Sequence, residues 1–220
     1  MLCEIEKSSD VCRTVVSGSS STPEVHRRIG LANSIVGQLD GVRRNRRLSL
    51  NTKLRLVYTP LVQSVLLHGS ETWTLTKADT ARLQAFHMKA QRRILNIKWY
   101  DFVTNDSVRS QTKLTDLPLI IADRRHSLLG HVCCLPPDVP AHNILQHCVD
   151  LSHGRCPAPD WKRPPGRPRN TWIQQVEENH RCTIDSLWSS AQDHSLWRSQ
   201  RPSLVKRSSQ WVSVQKWVLG

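Results

Sequence analysis

Residues 76–97 read TKADTARLQAFHMKAQRRILNI, and this stretch decides the class of the fold. Leu83, Phe86, Ala90, Ile94 and Ile97 recur every three or four residues, the period of a helix with one buried stripe. Gln84, Lys89, Arg92 and Arg93 fall mostly off that stripe. Thr76 stands where an N-cap belongs, and Asp79 three residues on is its capping-box partner. The pattern predicts a helix over 77–97.

Working outward, Ser49 is placed to cap a helix from Leu50 to Leu67, with Leu54, Val57, Tyr58, Leu61, Val65 and Leu66 as its apolar side. Pro60 should kink it, since its ring removes a backbone donor and clashes one turn back. Further upstream, Pro23 follows Thr22 at a first helical position. Ile29, Ala32, Ile35, Val36 and Leu39 continue at helical spacing, and Gly41 is the expected stop. Downstream, a helix is expected from Pro118 to His131, carrying Ile120, Ile121, Leu128 and Leu129. CLPPDVPAHN (134–143) then breaks the chain. Further helical stretches are read at Ala141–Leu151, Asn170–His180 and Asp185–Trp197. Val212 and Val214 are the one weak strand candidate. The class is mainly α: a small helical bundle, then a Pro-rich linker and short helices. The segments are a disordered 1–22, a bundle over 23–135, a Pro/Arg-rich linker with a short helix over 136–170, short helices over 171–199 and a tail over 200–220.

Composition narrows the function. Among 220 residues, 31 Lys and Arg face 18 Asp and Glu, a net charge of +13 that favours a polyanionic partner, nucleic acid first. MLCEIEKSSD at the start carries three acids and no apolar run, so it does not read as a signal peptide. The longest apolar stretch, Leu54 to Leu67, is interrupted by Arg55, Thr59, Pro60, Gln63 and Ser64, too polar for a span of about 20 apolar residues. Seven cysteines without regular spacing read as free thiols in a reducing compartment. The expected location is intracellular, in nucleus or cytoplasm, with no membrane partner.

The chemistry of catalysis is missing from the sequence. There is no GxGxxG or GxxxxGK loop, no GxSxG elbow and no Asp-Asp pair. Two-metal nucleotidyl transfer needs carboxylates holding ions about 3.5–4 Å apart, and the adjacent Glu177 and Glu178 point to different faces of their expected helix. No catalytic residue and no cofactor are assigned. His131, Cys133, Cys134, His142, His147, Cys148, His153 and Cys156 invite a zinc reading, but their spacing fits no knuckle or finger. They are read as buried thiols and surface imidazoles, with no metal. His87 is read as a satisfied, partly buried histidine, and Trp73 and Trp99 as core or helix-end packing rather than base-stacking platforms.

Positive charge, by contrast, is clustered. Arg43, Arg44, Arg46, Arg47, Lys53 and Arg55 have no acid between Asp40 and Glu71. The pattern recurs at Arg92–Arg93, at Arg124–Arg125 and over Lys162, Arg163, Arg167 and Arg169. Dense unneutralised charge is what phosphate contacts require, so these residues, Arg55 apart, are the candidate nucleic-acid-binding set. WKRPPGRPRN (161–170) resembles an AT-hook, with Arg167 as a minor-groove reader, yet Pro165 stands where the first Arg of that centre belongs. A rigid basic linker is the favoured reading.

Six stretches share a further likeness: RRIGLANSIVGQL (27–39), LSLNTKLRLVYTPLVQSVLLHGSETWTL (48–75), LQAFHMKAQRRILNIKWYDFVTN (83–105), RRHSLLGHV (124–132), GRPRNTWIQQVEEN (166–179) and AQDHSLWR (191–198). In this order they resemble the C-terminal part of the endonuclease–reverse transcriptases of non-LTR retrotransposons. The likeness spans about 24–199, and LLHGSETWTL and FHMKAQRRILNIKW are its most specific pieces. His68 stands where the family has Tyr, Leu129 where it commonly has an aromatic residue, and Cys133–Cys134 replace a basic or apolar pair. The resemblance implies a parent with an N-terminal endonuclease and a central polymerase. The matching part would be the thumb-like bundle and the region after the thumb, which grips template and primer. Nothing here matches the family's aromatic-x-Asp-Asp motif, so no catalytic residue carries over. The expectation is a truncated, non-catalytic fragment of an RNA-directed DNA polymerase that holds RNA or DNA as a template–primer duplex. A domesticated nucleic-acid-binding adaptor and a non-functional remnant are the alternatives. If the bundle needs a lost palm, Leu54, Leu61, Phe86 and Ile94 should be exposed and drive self-association.

Overall fold

The computed structural model describes residues 21–155 and 170–202, which form helices joined by short loops with no strand among them. The chain is mainly α. It divides into two compact units: Ser21–Ile121, and the described residues from Ala122 on. The division thus falls well before residue 135, the end of the bundle expected from the sequence.

In the first unit, α1 (Thr22–Gln38) starts with Pro23 in its first turn, where the missing N–H costs nothing. The expected disorder of 1–22 covers residues outside the described ones, except Ser21 and Thr22, which open this helix. Gly41 is not the stop. The chain leaves the helix at Leu39 and restarts as α2 (Asp40–Arg44), because Asp40 at the new N-terminus pairs with Arg43 and Arg44 at helical spacing.

The next helix, α3, is composite: Leu50–Thr52, a π-helical stretch Lys53–Gln63, and Ser64–Leu66. Ser49 Oγ caps it, accepting the Thr52 N–H at 3.1 Å. Pro60 lies inside the π stretch. A wider turn accommodates a residue that cannot complete the i→i−4 ladder. The winding also changes the face. Leu54, Tyr58, Val62 and Leu66, four apart, are buried, whereas Leu61 is 45% exposed.

Helix α4 (Lys77–Ile94) begins with the complete Thr76–Asp79 capping box. Asp79 is fully buried and also accepts the Thr22 hydroxyl at 2.8 Å, tying the starts of α1 and α4 together. Burial alone would raise its pKa; the hydrogen bonds from Thr76 and Thr22 outweigh it and hold the carboxyl below the ordinary aspartate value. The helix ends before the expected Ile97. Asn96 takes a left-handed φ of 60°, and the Ile97 N–H bonds back to the Arg92 carbonyl at 2.9 Å.

Helix α5 (Asn105–Thr112) went unseen in the sequence, because Val108 is its one buried apolar residue and sets no period. It is capped by Thr104 and joined to α4 by a 2.6 Å bond between the Thr112 hydroxyl and Gln91 Oε1. Helix α6 (Leu117–Cys133) contributes Leu117 and Ile121 to a core with Leu54, Tyr58, Leu83 and Phe86. At its centre Tyr58 Oη lies 2.6 Å from His87 Nδ1. His87 is fully rather than partly buried, and burial pushes its pKa down to about 4. Leu54 and Phe86 are likewise buried and Ile94 is half-buried, so of the four residues expected to face outwards only Leu61 is exposed.

The second unit, from Ala122 on, is built on the rest of α6 with α7 (Pro140–Ser152), α8 (Trp172–His180), α9 (Ile184–Ala191) and α10 (His194–Ser199). The helix expected over 185–197 is split in two, because Asp193 caps a fresh start by accepting the Ser195 and Leu196 N–H groups. Its core gathers Leu129, Val149, Ile173, Val176, Leu187 and Trp197. Trp197 stacks on the buried His126 with ring centroids 3.9 Å apart. A Cβ on Gly130 would run into Trp197 Nε1, so only glycine fits beneath that indole. Among the described residues Cys133, Cys134 and Cys182 are free thiols. No described helix is long and apolar enough to cross a membrane. The tail from 203 on, with Val212 and Val214, lies outside the described residues.

Candidate nucleic-acid interface

The sequence places a dense cation set around the end of α4, and the first unit folds part of it into a groove. Ala85, Lys89, Arg92, Arg93 and Asn96 come from the outer face and stop of α4, Arg43 from α2, and Lys98 and Trp99 from the segment after the stop. The groove is open, with a volume of about 480 Å³. Five cations line it: Arg43, Lys89, Arg92, Arg93 and Lys98.

Asp40 is the only carboxylate that pairs with any of these five among the described residues. It meets Arg43 at 2.8 Å and Arg93 at 3.3 Å, and Arg44 beside them at 2.8 Å. The Arg43 hydrogen bond, with the charge of its neighbours, holds the Asp40 carboxyl below the usual aspartate value. Along the sequence Asp40 is only the edge of an acid-free run; in space it is the run's counter-ion. One carboxylate cannot neutralise three guanidinium groups, so positive charge remains. Lys89 is exposed, Lys98 is exposed, and neither side chain has an ion pair among the described residues.

The remaining cations divide by what they touch. Arg92 Nη2 donates to the Val103 carbonyl at 2.7 Å and to Asn105 Oδ1 at 2.8 Å, clamping the loop that leaves α4. Lys53 Nζ donates to the Arg43 carbonyl at 2.8 Å and is half-buried, so its charge is spent on holding α2 to α3. Arg46 and Arg47 are exposed in the connection between those helices. Arg124 is half-buried on α6. Arg125 does not belong to a contact surface: it is 5% exposed, donates to Gln175 Oε1 at 2.7 Å, and burial pushes its pKa down to about 10. A phosphate cannot reach a guanidinium enclosed in the second unit. Lys162, Arg163, Arg167 and Arg169 lie outside the described residues, and with them the AT-hook-like segment.

Tryptophan also departs from expectation in one case. Trp73 is core, as expected, but Trp99 is 90% exposed. It stands on a 3-10 turn, Trp99–Asp101, followed by the 90% exposed Phe102, and Tyr100 between them is 55% exposed. The Asp101 carboxylate accepts the Lys98 N–H at 2.6 Å and fixes the turn. Phe102 holds φ 50°, a left-handed conformation that costs a bulky residue about 1–2 kcal/mol. The Arg92 clamp on Val103 closes the loop from the other side. Lys89, Lys98, Tyr100 and Phe102 were missed in the sequence, and Trp99 was read there as packing. The signal was there: WYDF (99–102) comes after Asn96, a residue suited to ending a helix, and so falls off the apolar stripe.

Several other charged groups among the described residues serve the fold. No group of three or more His, Cys, Asp or Glu among them is placed to hold a metal ion. Arg109 bridges Asp106 at 2.9 Å and Asp116 at 3.1 Å, and Glu177 accepts the Ile184 N–H at 2.8 Å to cap α9. No family model, curated protein or solved structure matches this chain. The likeness to retrotransposon reverse transcriptases therefore rests on the quoted residues alone.

Proposed function

We propose that this chain is a nucleic-acid-binding protein without catalytic activity of its own, derived from the thumb and post-thumb portion of a retrotransposon reverse transcriptase and gripping template–primer RNA or DNA. The observation that carries the reading is the groove at the end of α4, where Arg43, Lys89, Arg92, Arg93 and Lys98 converge with Asp40 as their one carboxylate partner among the described residues. Such a surface binds phosphates and steers a polyanion towards itself. An adaptor that folds alone is favoured over a remnant, because Leu54, Tyr58, Leu83 and Phe86 close a core within the first unit instead of facing a missing palm.

The test is the salt dependence of affinity. Binding to a primed RNA template should weaken steeply with salt, and Lys89→Gln with Lys98→Gln should lower the log–log slope by about 1.4–1.8 if both touch phosphate. Absence of salt-dependent binding would remove the reading. Template-directed nucleotide incorporation by the purified chain would overturn its non-catalytic part.

A further inference from the structure

The groove carries more than charge. Trp99 lines it beside Lys89, Arg92 and Lys98, and Tyr100 and Phe102 come next on the same clamped turn. Trp99 and Phe102 stand in water although Trp73 in the same unit is buried, and Phe102 does so in a left-handed conformation. Trp99 and Tyr100 meet edge to face, with centroids 5.6 Å apart at 78°, which leaves a face of the indole open. Both ends of the turn are tied, at Lys98 by Asp101 and at Val103 by Arg92, so the rings are held out by the fold.

We infer that this groove and the aromatic turn that leaves it take single-stranded nucleic acid, with unpaired bases stacked on Trp99 in the groove and on Phe102 along the turn, and phosphates set against Lys89, Arg93 and Lys98. The inference rests on the nucleic-acid reading above and deepens it. In a duplex the faces of the bases are covered by their neighbours, so an aromatic ring gains nothing from them; an unpaired base offers its π-face to the ring. Charge alone would not distinguish the two, since both carry phosphates. A protein partner would also use exposed aromatic rings, but five cations against Asp40 and the turn's Asp101 leave an excess of positive charge that fits a polyanion better.

The experiment compares the full chain with the variant Trp99→Ala/Phe102→Ala on two labelled probes, an unstructured oligouridylate of about 12 nucleotides and an RNA duplex of the same length, by fluorescence anisotropy at fixed salt. The single strand should lose about 10- to 100-fold in affinity and the duplex less than about two-fold, with the salt slope unchanged. Trp99→Phe/Phe102→Trp should restore single-strand binding, because both keep a stacking face. Both side chains are exposed, so the variants should keep the wild-type circular dichroism melt, which serves as the folding control. Equal losses on both probes, or none, would overturn the single-strand inference and leave the phosphate-binding reading intact. If the wild type binds neither probe, both fall, and a change in sedimentation on mutating the two rings would then assign them to protein contact.

Discussion

Trp99 in the first unit and Trp197 in the second are the same side chain with opposite fates. Trp99 is 90% exposed, on a turn after a helix that has already closed its core with leucines and Phe86. Trp197 is 8% exposed, lies flat on His126 and fills the space that Gly130 leaves. At its C-terminal side the second unit relies on short helices, the eight-residue α9 and the six-residue α10. One large ring there replaces several aliphatic contacts. The first unit has long helices and needs no such plug, so its aromatic turn is left for another role. What an aromatic residue does is decided by how much core the surrounding helices can already make.

The sharpest way to break the comparison is to remove each ring. Trp197→Ala should destabilise the second unit by about 3–5 kcal/mol, since it opens a large cavity under α6 and strips His126 of its stacking partner. Gly130→Ala should act in the same direction by about 1–3 kcal/mol, because the added methyl and the indole cannot share the site. Urea unfolding monitored by circular dichroism measures both; an unchanged midpoint for Trp197→Ala would contradict this packing.

Acid should separate the units next. His126 Nδ1 lies 3.3 Å from His180 Nε2, and its Nε2 lies 2.9 Å from the Trp197 carbonyl. Burial, then the neighbouring His180, pushes the His126 pKa down to about 4, and burial also lowers that of His180. Asp123 and Arg201 act on His126 with opposite signs. A histidine whose folded pKa is depressed costs no stability while both states are neutral. As pH falls below about 6.5 the unfolded chain takes up protons that the folded chain refuses, and stability drops until about pH 4. His87 does the same in the first unit, on the order of 3 kcal/mol at most over that window. Two histidines in the second unit against one in the first predict that the second unfolds first on acidification. Melting curves from pH 7.5 to 4.5 that stay flat would refute this. Hydrogen exchange in that range should show α8 and α10 opening before α4.

The smallest effect completes the contrast. Trp99→Ala should change stability by less than about 0.5 kcal/mol, because its ring is almost wholly in water and touches only Tyr100 among the aromatic residues. A loss as large as that of Trp197→Ala would place Trp99 in a core it is not seen to join.

Residues local to one helix determined most of the helices and the starts of α1, α3 and α4. Ser49, the Thr76–Asp79 box and Pro23 act through atoms a few residues away, and a hydrogen bond from a side chain to the next turn needs no tertiary partner. Helical periodicity is local in the same sense, which is why Leu83, Phe86 and Ala90 were legible as a buried stripe. It failed where the winding itself changed, at Val62 and Leu61, and where a helix carried a single apolar anchor, Val108. The candidate site was legible only in part. Arg43, Arg92 and Arg93 were in the cation set, and the structure brings them together; Arg125 was in it too, and the structure buries it. Only tertiary structure decided between them. Whether a charge faces phosphate or an amide, and whether a tryptophan faces water or an imidazole, depends on which distant segment packs against it, and residue spacing along one helix axis does not encode that.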